Sequence, residues 1–156
     1  MKSRRCVPSV VPVTRIVADT NIVVSGLLWR GAPRQILDLT RNQTVVLCVS
    51  PMLLDELAEV IARPKFERML RRASLSVDEL VLNYARMTEI VDVSRQDVPR
   101  VVIADPDDDH VIACAVAAQA DMVVSGGQHL LSLGAYHGVP VLGAAQALQR
   151  IGRGGG

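Results

Sequence analysis

The segment RIVADTN, residues 15–21, decides the predicted fold. Residues 15–19 form a short apolar strand that ends on the carboxylate of Asp19, and the pair Thr20-Asn21 after it predicts a polar turn. A second apolar run, Val45–Val49, predicts a strand that is covered on both faces. Such strands alternate along the chain with longer helical stretches. The alternation predicts a parallel sheet with helices on both faces.

The remaining elements continue this alternation. Three further strands are predicted over Glu89–Val93, Met122–Ser125 and Pro140–Leu142. Seven helices are predicted. In the first half of the chain they cover Pro33–Arg41, a segment from the Ser50-Pro51 cap to near Pro64, and Phe66–Ala73. In the second half they cover a segment from the capping box at Ser76–Glu79 to about Thr88, Val111–Ala120 behind an acidic start at 105–109, His129–Leu133 and Ala144–Ile151. The predicted fold class is a three-layer, Rossmann-like α/β/α sandwich around a central parallel sheet.

Length and composition fit one domain. We expect it at residues 15–151, after an N-terminal extension at 1–14 and before a flexible tail at 152–156. A hydrophobic fraction of 49% excludes a disordered chain. No apolar run approaches the roughly 20 residues of a membrane span, and the first residues make a poor secretion signal. We therefore expect a soluble, cytoplasmic protein that does not associate with a membrane.

Charge, aromatic content and cysteine usage narrow the function further. The formal net charge is only +1, which argues against a general coat for duplex nucleic acid. Aromatic residues make up 3% of the chain, which argues against a base-stacking platform of the kind used by single-strand binding proteins. Cys6, Cys48 and Cys114 have no metal-ligand spacing, and the last two lie in apolar contexts. They are interpreted as core residues of a reducing compartment.

Candidate chemistry lies at the ends of the predicted strands. Ligands of an open parallel sheet bind beyond the carboxyl ends of its strands. Asp19 ends the first strand, Glu56 lies one turn into the helix after the second, and the acidic run 105–109 precedes the fourth. Carboxylates brought together repel one another, so they need a shared proton or a hard divalent cation. Without a histidine or cysteine partner, the cluster predicts Mg²⁺- or Mn²⁺-assisted phosphodiester chemistry.

Each of these acids also has an ordinary structural interpretation. Asp108 and Asp109 at a helix start are typical capping residues that complement the helix dipole. Glu56 is flanked by charged residues, as expected of a solvated helix face. Asp19 stands where turns are made as well as where ligands bind. Position alone leaves these alternatives open.

Four segments in order resemble the PIN domain, the ribonuclease fold found as the toxin of VapBC-type toxin–antitoxin pairs. They are Ile16–Asn21 with Ser25 four residues later, Leu54–Leu57 continuing to Arg63–Phe66, Asp105–Asp108 before an alanine-rich helix, and Ala120–Gly126 followed by Leu130-Leu131. The similarity covers about residues 15–149. The Arg63–Phe66 segment is similar to the branch of the family that holds toxin components.

The resemblance implies a Mg²⁺- or Mn²⁺-dependent endoribonuclease that cuts single-stranded or structured RNA. Asp19, Glu56 and Asp108 match the acidic metal ligands of the family, with Asp109 ranked below Asp108. Asn21 and Ser25 match polar residues that support the first aspartate. The resemblance also implies a small antitoxin partner and a homodimer.

One departure from the family pattern concerns the end of the fourth strand. The family commonly has Thr-Gly-Asp there, and this chain has Ser125-Gly126-Gly127, so the fourth carboxylate is missing. Ser125 still offers a hydroxyl, and Asp105 or Asp109 could substitute for the missing acid. We expect a three-carboxylate site that binds one metal firmly. The alternative is a PIN-like module that has lost catalysis and binds RNA or a protein.

The sequence also contains candidates for RNA-binding residues. Four basic residues follow the first two strands: Arg30, Arg34, Arg63 and Lys65. They are candidates for contacts with RNA phosphates, although a solvated helix face accounts for them equally well.

Two other enzyme classes with a similar fold do not fit the sequence. A haloacid dehalogenase-type phosphatase needs a second acid where Asn21 stands. A phospho-receiver domain needs an acidic pair near the first strand and a lysine after the fifth, and this chain has neither.

Overall fold

A computed structural model describes residues 13–94, 98 and 106–154. Its centre is one six-stranded sheet in the order β3-β2-β1-β4-β6-β5. The strands are β1 (Thr14–Ala18), β2 (Val45–Val49), β3 (Glu89–Ile90), β4 (Met122–Val124), β5 (Ala135–Tyr136) and β6 (Val139–Leu142). Every neighbouring pair is parallel except β5 and β6, which are antiparallel. Helices flank this mostly parallel sheet, which confirms the predicted fold class.

Eight helices occur in the described part of the chain. They are α1 (Thr20–Leu28), α2 (Ala32–Arg41), α3 (Pro51–Ile61), α4 (Glu67–Arg72), α5 (Val77–Arg86), α6 (Pro106–Ala118), α7 (Gln128–Leu133) and α8 (Ala144–Gly154). A 3-10 turn over Pro64–Phe66 joins α3 to α4. Helix α2 packs against α1 and α8, while α3 packs against α1, α5 and α6.

Two helix starts follow the predicted capping chemistry. The Ser50 hydroxyl accepts a hydrogen bond from the backbone N–H of Leu53 at 3.2 Å, with Pro51 in the first helical position of α3. At α5, Ser76 and Glu79 form a complete capping box. The strand β2 has the predicted bounds, because a run of apolar residues suits a strand that is buried on both sides.

The structure corrects several predicted boundaries. The pair Thr20-Asn21 is not a turn, because α1 begins at Thr20 directly after Asp19. The third strand is only two residues long, and the two-residue strand β5 was not predicted. Helix α8 reaches Gly154 and so includes part of the expected tail. Thr14 pairs with Val45 in the sheet.

Some predictions fall on parts of the chain outside the described residues. These are the extension over residues 1–12, Cys6, Asp105 and the last two residues of the expected tail.

The core lies on both sides of the central strands. Ile16, Leu47 and Val123, one from each of β1, β2 and β4, are fully buried. Cys48 and Cys114 are buried free thiols, which confirms their interpretation as core residues. Burial raises the pKa of the Cys114 thiol to about 12, so this sulfur stays protonated and chemically inert at neutral pH.

The helices in the described part of the chain are too short or too polar to cross a lipid bilayer. Within the described residues, none has the length and apolar character needed to span one.

Thr40 on α2 offers a test of the packing. Its hydroxyl oxygen is buried and has no hydrogen-bond partner among the described residues. A buried polar group without a partner carries an uncompensated desolvation cost. We expect Thr40→Val, which keeps the shape, to raise the free energy of unfolding by about 1 kcal/mol in urea denaturation.

Thr40→Ser serves as the matched control, because it keeps the hydroxyl and removes the methyl group. We expect it to lower the free energy of unfolding. A stability loss in Thr40→Val would contradict the assignment of an unsatisfied hydroxyl.

Candidate active site

The strands β1 and β4 lie where the strand order of the sheet reverses. From β1 the chain adds β2 and β3 on one side and later adds β4, β6 and β5 on the other. The strand order therefore reverses between β1 and β4. In open parallel sheets this reversal leaves a crevice at the carboxyl ends of the strands. Asp19 follows β1 and Ser125-Gly126-Gly127 follows β4, so both segments border that crevice.

Asp19 is held there by donors from two elements. It is the N-cap of α1, where its Oδ1 accepts a hydrogen bond from the backbone N–H of Ile22 at 2.8 Å. Its Oδ2 accepts one from the Ser125 hydroxyl and one from the backbone N–H of Gly126 at 3.3 Å. The Ser125 oxygen in turn accepts from the backbone N–H of Gly127 at 3.0 Å. This chain of hydrogen bonds fixes the orientation of the carboxylate.

Burial makes the charge on Asp19 costly. The residue is only 5% exposed. Desolvation raises the pKa of its carboxyl group above the ordinary value, while the hydrogen bonds from Ser125 and from the backbone of Ile22 and Gly126 lower it and offset part of the effect. A carboxylate with a raised pKa in a cleft is typical of functional sites, because burial of this kind costs stability and calls for a compensating role.

A cleft of about 190 Å³ brings the three predicted acids together. It is lined by Asp19, Thr20, Asn21, Glu56, Val60, Arg63, Asp108 and Val111. The acids come from three separate elements: the end of β1, the helix α3 and the helix α6. We call this cavity the acidic cleft. Asp109 is buried and is not among its described lining residues, so of the two adjacent acids Asp108 is the one that borders it.

The oxygen atoms that line the acidic cleft suit a hard divalent cation. Three carboxylates supply only oxygen, which is the donor that Mg²⁺ and Mn²⁺ prefer. Over the ranges that the structure describes, no three acidic, histidine or cysteine side chains are close enough to enclose an ion by themselves. Mg²⁺ usually keeps several waters and shares a few carboxylates with a substrate phosphate rather than entering an all-protein cage. The residues of the acidic cleft fit that kind of ion.

The polar residues predicted to support Asp19 differ in what they do. Ser125 is fully buried and donates directly to the Asp19 carboxylate. Asn21 lines the acidic cleft, while Ser25, one turn further along α1, lines the neighbouring cavity. Neither of these two side chains makes a hydrogen bond to a described residue. The structural support of Asp19 therefore comes from Ser125 and from backbone N–H groups.

Those backbone donors are the part of the site that the sequence did not predict. The N–H group of Ile22 points at Asp19 because α1 begins immediately after β1. The N–H group of Gly126 reaches Asp19 because β4 pairs with β1, which places the segment after β4 beside the end of β1. The available signal was the aspartate itself, since aspartate is among the preferred N-cap residues.

Gly127 is the residue at which the resemblance described above implies a missing fourth carboxylate. A Cβ atom built on Gly127 would lie 3.6 Å from the Ser125 Oγ and 4.0 Å from the Asp19 Oδ2. These are ordinary contact distances, and the backbone φ of −90° suits any residue. A side chain at this position would therefore project beside Asp19. The glycine therefore leaves room for a side chain without a change of the backbone.

The four predicted phosphate-binding residues are placed differently. Arg63 lines both the acidic cleft and the neighbouring cavity, and Lys65 lines the neighbouring cavity. The Arg63 guanidinium makes no hydrogen bond or ion pair to any residue within the described ranges. Arg30 is exposed and Arg34 is half-buried, and the described lining of the two cavities includes neither.

Comparison with known proteins identifies similar sequences and folds. Residues 15–129 match the family model described as PIN domain. An uncharacterised protein of Methanocaldococcus jannaschii is 27% identical over 120 residues, which cover 76% of this chain and 74% of that protein. A chain in the crystal structure of VapBC2 from Rickettsia felis, bound to a DNA fragment from its promoter, has a similar fold. That match has a TM-score of 0.57 and 15% identity, over 82% of this chain and 97% of the other.

The burial of Asp19 predicts a pH-dependent stability difference. Because its pKa is raised in the folded state, the protonated group favours folding, and this contribution is lost as the pH rises through the folded-state value. Asn can replace Asp as an N-cap without the charge. In EDTA, we expect Asp19→Asn to have a higher melting temperature than the wild type at neutral pH. The difference should shrink as the pH falls towards about 4.

Asp55→Asn, at an exposed position of α3, is the matched control. It should change the free energy of unfolding by less than about 0.5 kcal/mol. A lower melting temperature for Asp19→Asn at every pH would show that the lost Gly126 hydrogen bond outweighs the buried charge. Differential scanning calorimetry across the pH range measures both variants.

Proposed function

The chain belongs to the PIN domain family, and we propose that it is a Mg²⁺- or Mn²⁺-dependent endoribonuclease that acts as the toxin of a toxin–antitoxin pair. The single observation that carries the proposal is the acidic cleft itself. Asp19, Glu56 and Asp108 come from distant parts of the chain and line one cavity at the reversal point of the sheet. No requirement of folding brings three carboxylates together, because their mutual repulsion opposes it.

In the proposed reaction these carboxylates, together with water molecules, would hold the divalent cation. A cation held there would supply a bound water of lowered pKa and would offset negative charge on the phosphate. Asp19 contributes a carboxylate whose direction is fixed by Ser125 and by the N-terminus of α1. Glu56 and Asp108 approach from two helices and complete an oxygen-only set.

Arg63 has a separate role in the proposed mechanism. Its guanidinium borders the same cleft as the carboxylates. A bidentate contact from arginine to the phosphate backbone positions the strand and offsets the negative charge that the carboxylates and phosphate bring together. Specificity for one base does not follow from such a contact.

The first test is cleavage of a labelled single-stranded RNA in the presence of Mn²⁺, Mg²⁺ or EDTA. We expect cutting with either metal and none in EDTA. Asp19→Asn and Asp108→Asn should each lower the rate by about 100-fold or more, because even outer partners of metal ligands contribute 10- to 100-fold. Asp55→Asn, which is exposed on the same helix as Glu56, should cut normally.

Ser125→Ala separates positioning from direct metal binding. It removes the hydroxyl that donates to Asp19 and leaves the three carboxylates in place. We expect a loss of about 10- to 100-fold in the cleavage rate at saturating RNA, with a weaker apparent affinity for Mn²⁺. Ser132→Ala, at an exposed position of α7, is the control. An unchanged Mn²⁺ dependence in Ser125→Ala would contradict the positioning role.

A second candidate function rests on Gly127. A PIN domain without the fourth carboxylate is a candidate for a module that binds RNA or a protein and does not cut. Binding of labelled RNA by folded wild-type protein, with no cleavage in either metal over a varied RNA panel, would favour this alternative.

Gly127→Asp decides between the two functions. The open space at this position accepts a side chain beside Asp19. We expect the variant to bind Mn²⁺ more tightly and to cut at least as fast as the wild type, as measured by isothermal titration and by RNA cleavage. Gly127→Asn has the same shape without the charge and should give no increase. Activity that appears only in Gly127→Asp would show that the wild-type chain is the catalytically impaired form.

The partners of the protein and its location in the cell are part of the same proposal. The similarity in fold to VapBC2 supports pairing with a small antitoxin, and the family resemblance supports a homodimer in the cytoplasm. Co-purification with the product of a short upstream reading frame tests the first part. Sedimentation equilibrium of the purified chain tests the second.

A further inference from the structure

A second cavity of about 400 Å³ lies beside the acidic cleft. It is lined by Asn21, Val24, Ser25, Trp29, Val60, Arg63, Lys65 and Phe66. We call it the aromatic pocket. Asn21, Val60 and Arg63 line both cavities, so the two are adjacent. Its volume lies within the roughly 300–1,000 Å³ typical of sites for small molecules.

The aromatic content of this pocket is out of proportion to the rest of the chain. The protein has one tryptophan, one phenylalanine and two tyrosines, and both the tryptophan and the phenylalanine are here. Trp29 is 45% exposed, whereas Phe66 is buried. Their ring centroids are 6.1 Å apart at an angle of 57°, so Phe66 supports Trp29 from the protein side. Trp29 therefore presents an aromatic surface that is both supported and accessible.

Two basic residues, Arg63 and Lys65, line the same pocket as this aromatic surface. The Lys65 Nζ lies 5.1 Å from the centroid of Phe66, which holds an ammonium group at the pocket. Arg63 stands on the boundary with the acidic cleft. Half of the eight lining residues are polar, which differs from the continuous apolar groove that an amphipathic helix requires. An accessible aromatic ring beside two cations suits a nucleobase and its phosphate.

We propose that the aromatic pocket binds one base of single-stranded RNA, next to the phosphodiester that lies in the acidic cleft. The inference rests on the proposed nuclease function and adds a base-contacting subsite to it. Trp29 stacks on the base, while Arg63 and Lys65 contact the adjoining phosphate. Because the strength of stacking differs modestly between bases, this pocket makes a modest contribution to the choice of cut site.

The only tryptophan of the chain is in the pocket, so intrinsic fluorescence reports on it directly. The full-length Asp19→Asn chain is titrated with a short single-stranded oligoribonucleotide and, separately, with an abasic strand of the same length. We expect quenching by the base-containing strand and little change with the abasic strand. Equal responses to both strands, or no response to either, would overturn the proposal.

Cleavage kinetics supply the second measurement. Trp29→Ala should raise KM about tenfold or more, with a smaller change in kcat and a loss of base preference beside the cut. Trp29→Phe keeps an aromatic face and should retain most of the affinity. Tyr136→Ala removes an aromatic ring that stacks on His137 at the sheet edge, away from both cavities, and is the matched control. Active Trp29→Ala with unchanged KM and cut sites would overturn the inference and leave the nuclease function standing.

The two readouts separate failure of the subsite from failure of the enzyme. If the wild type cuts no RNA, base-dependent quenching still supports the subsite in an RNA-binding module. If Trp29 fluorescence responds only to the protein encoded by a neighbouring reading frame and to no RNA, the pocket is a protein-docking site and the inference is wrong.

Discussion

The buried carboxylate of Asp19 is the interaction on which the site depends. It joins three elements, because it caps the N-terminus of α1, follows β1 and receives donors from the segment after β4. Without those donors, a nearly inaccessible carboxylate would carry a large desolvation cost. With them, the same group is rigid and retains a raised pKa. Stability and the proposed metal chemistry therefore make opposite demands on one side chain.

The acidic cleft follows from this arrangement and from the order of the strands. The reversal between β1 and β4 opens the crevice, and Asp19 borders it from the centre of the sheet. Glu56 lies in the second turn of α3, where a side chain leans back towards the start of the helix and so towards the strand ends. Asp108 lies near the start of α6. Local helix geometry thus brings together acids that are far apart in sequence.

Much of the fold was predictable from the pattern of residues in the sequence. Fully apolar β2 and the cap at Ser50 depend on local sequence alone, and both were predicted correctly. Helix α1 was missed because its sequence, TNIVVSGLL, is rich in β-branched residues and contains glycine, which disfavour a helix. Packing against α2 and α3 and the cap at Asp19 override that local preference. Tertiary contacts of this kind are not visible in the sequence.

The aromatic pocket illustrates a different limit. A 3% aromatic content argues against base stacking when it is averaged over the chain. Trp29 ends α1 and Phe66 follows α3, and only the packing of those two helices places the rings side by side. Composition gives the number of aromatic residues in the chain but does not show whether the fold brings them together. A single binding subsite needs only the local concentration.

The two outer strands have a consequence for how this protein can associate with itself. Within the part of the chain that the structure describes, the sheet ends in β3 on one side and in β5 on the other, and each of these strands is only two residues long. Strands that short offer few free backbone groups to a neighbouring chain, and short edges are one way in which proteins avoid joining sheets end to end. Copies of this chain would therefore meet through their helices and side chains. A continuous sheet running from one molecule into the next, and the fibrous aggregates that such sheets form, are disfavoured by the architecture itself.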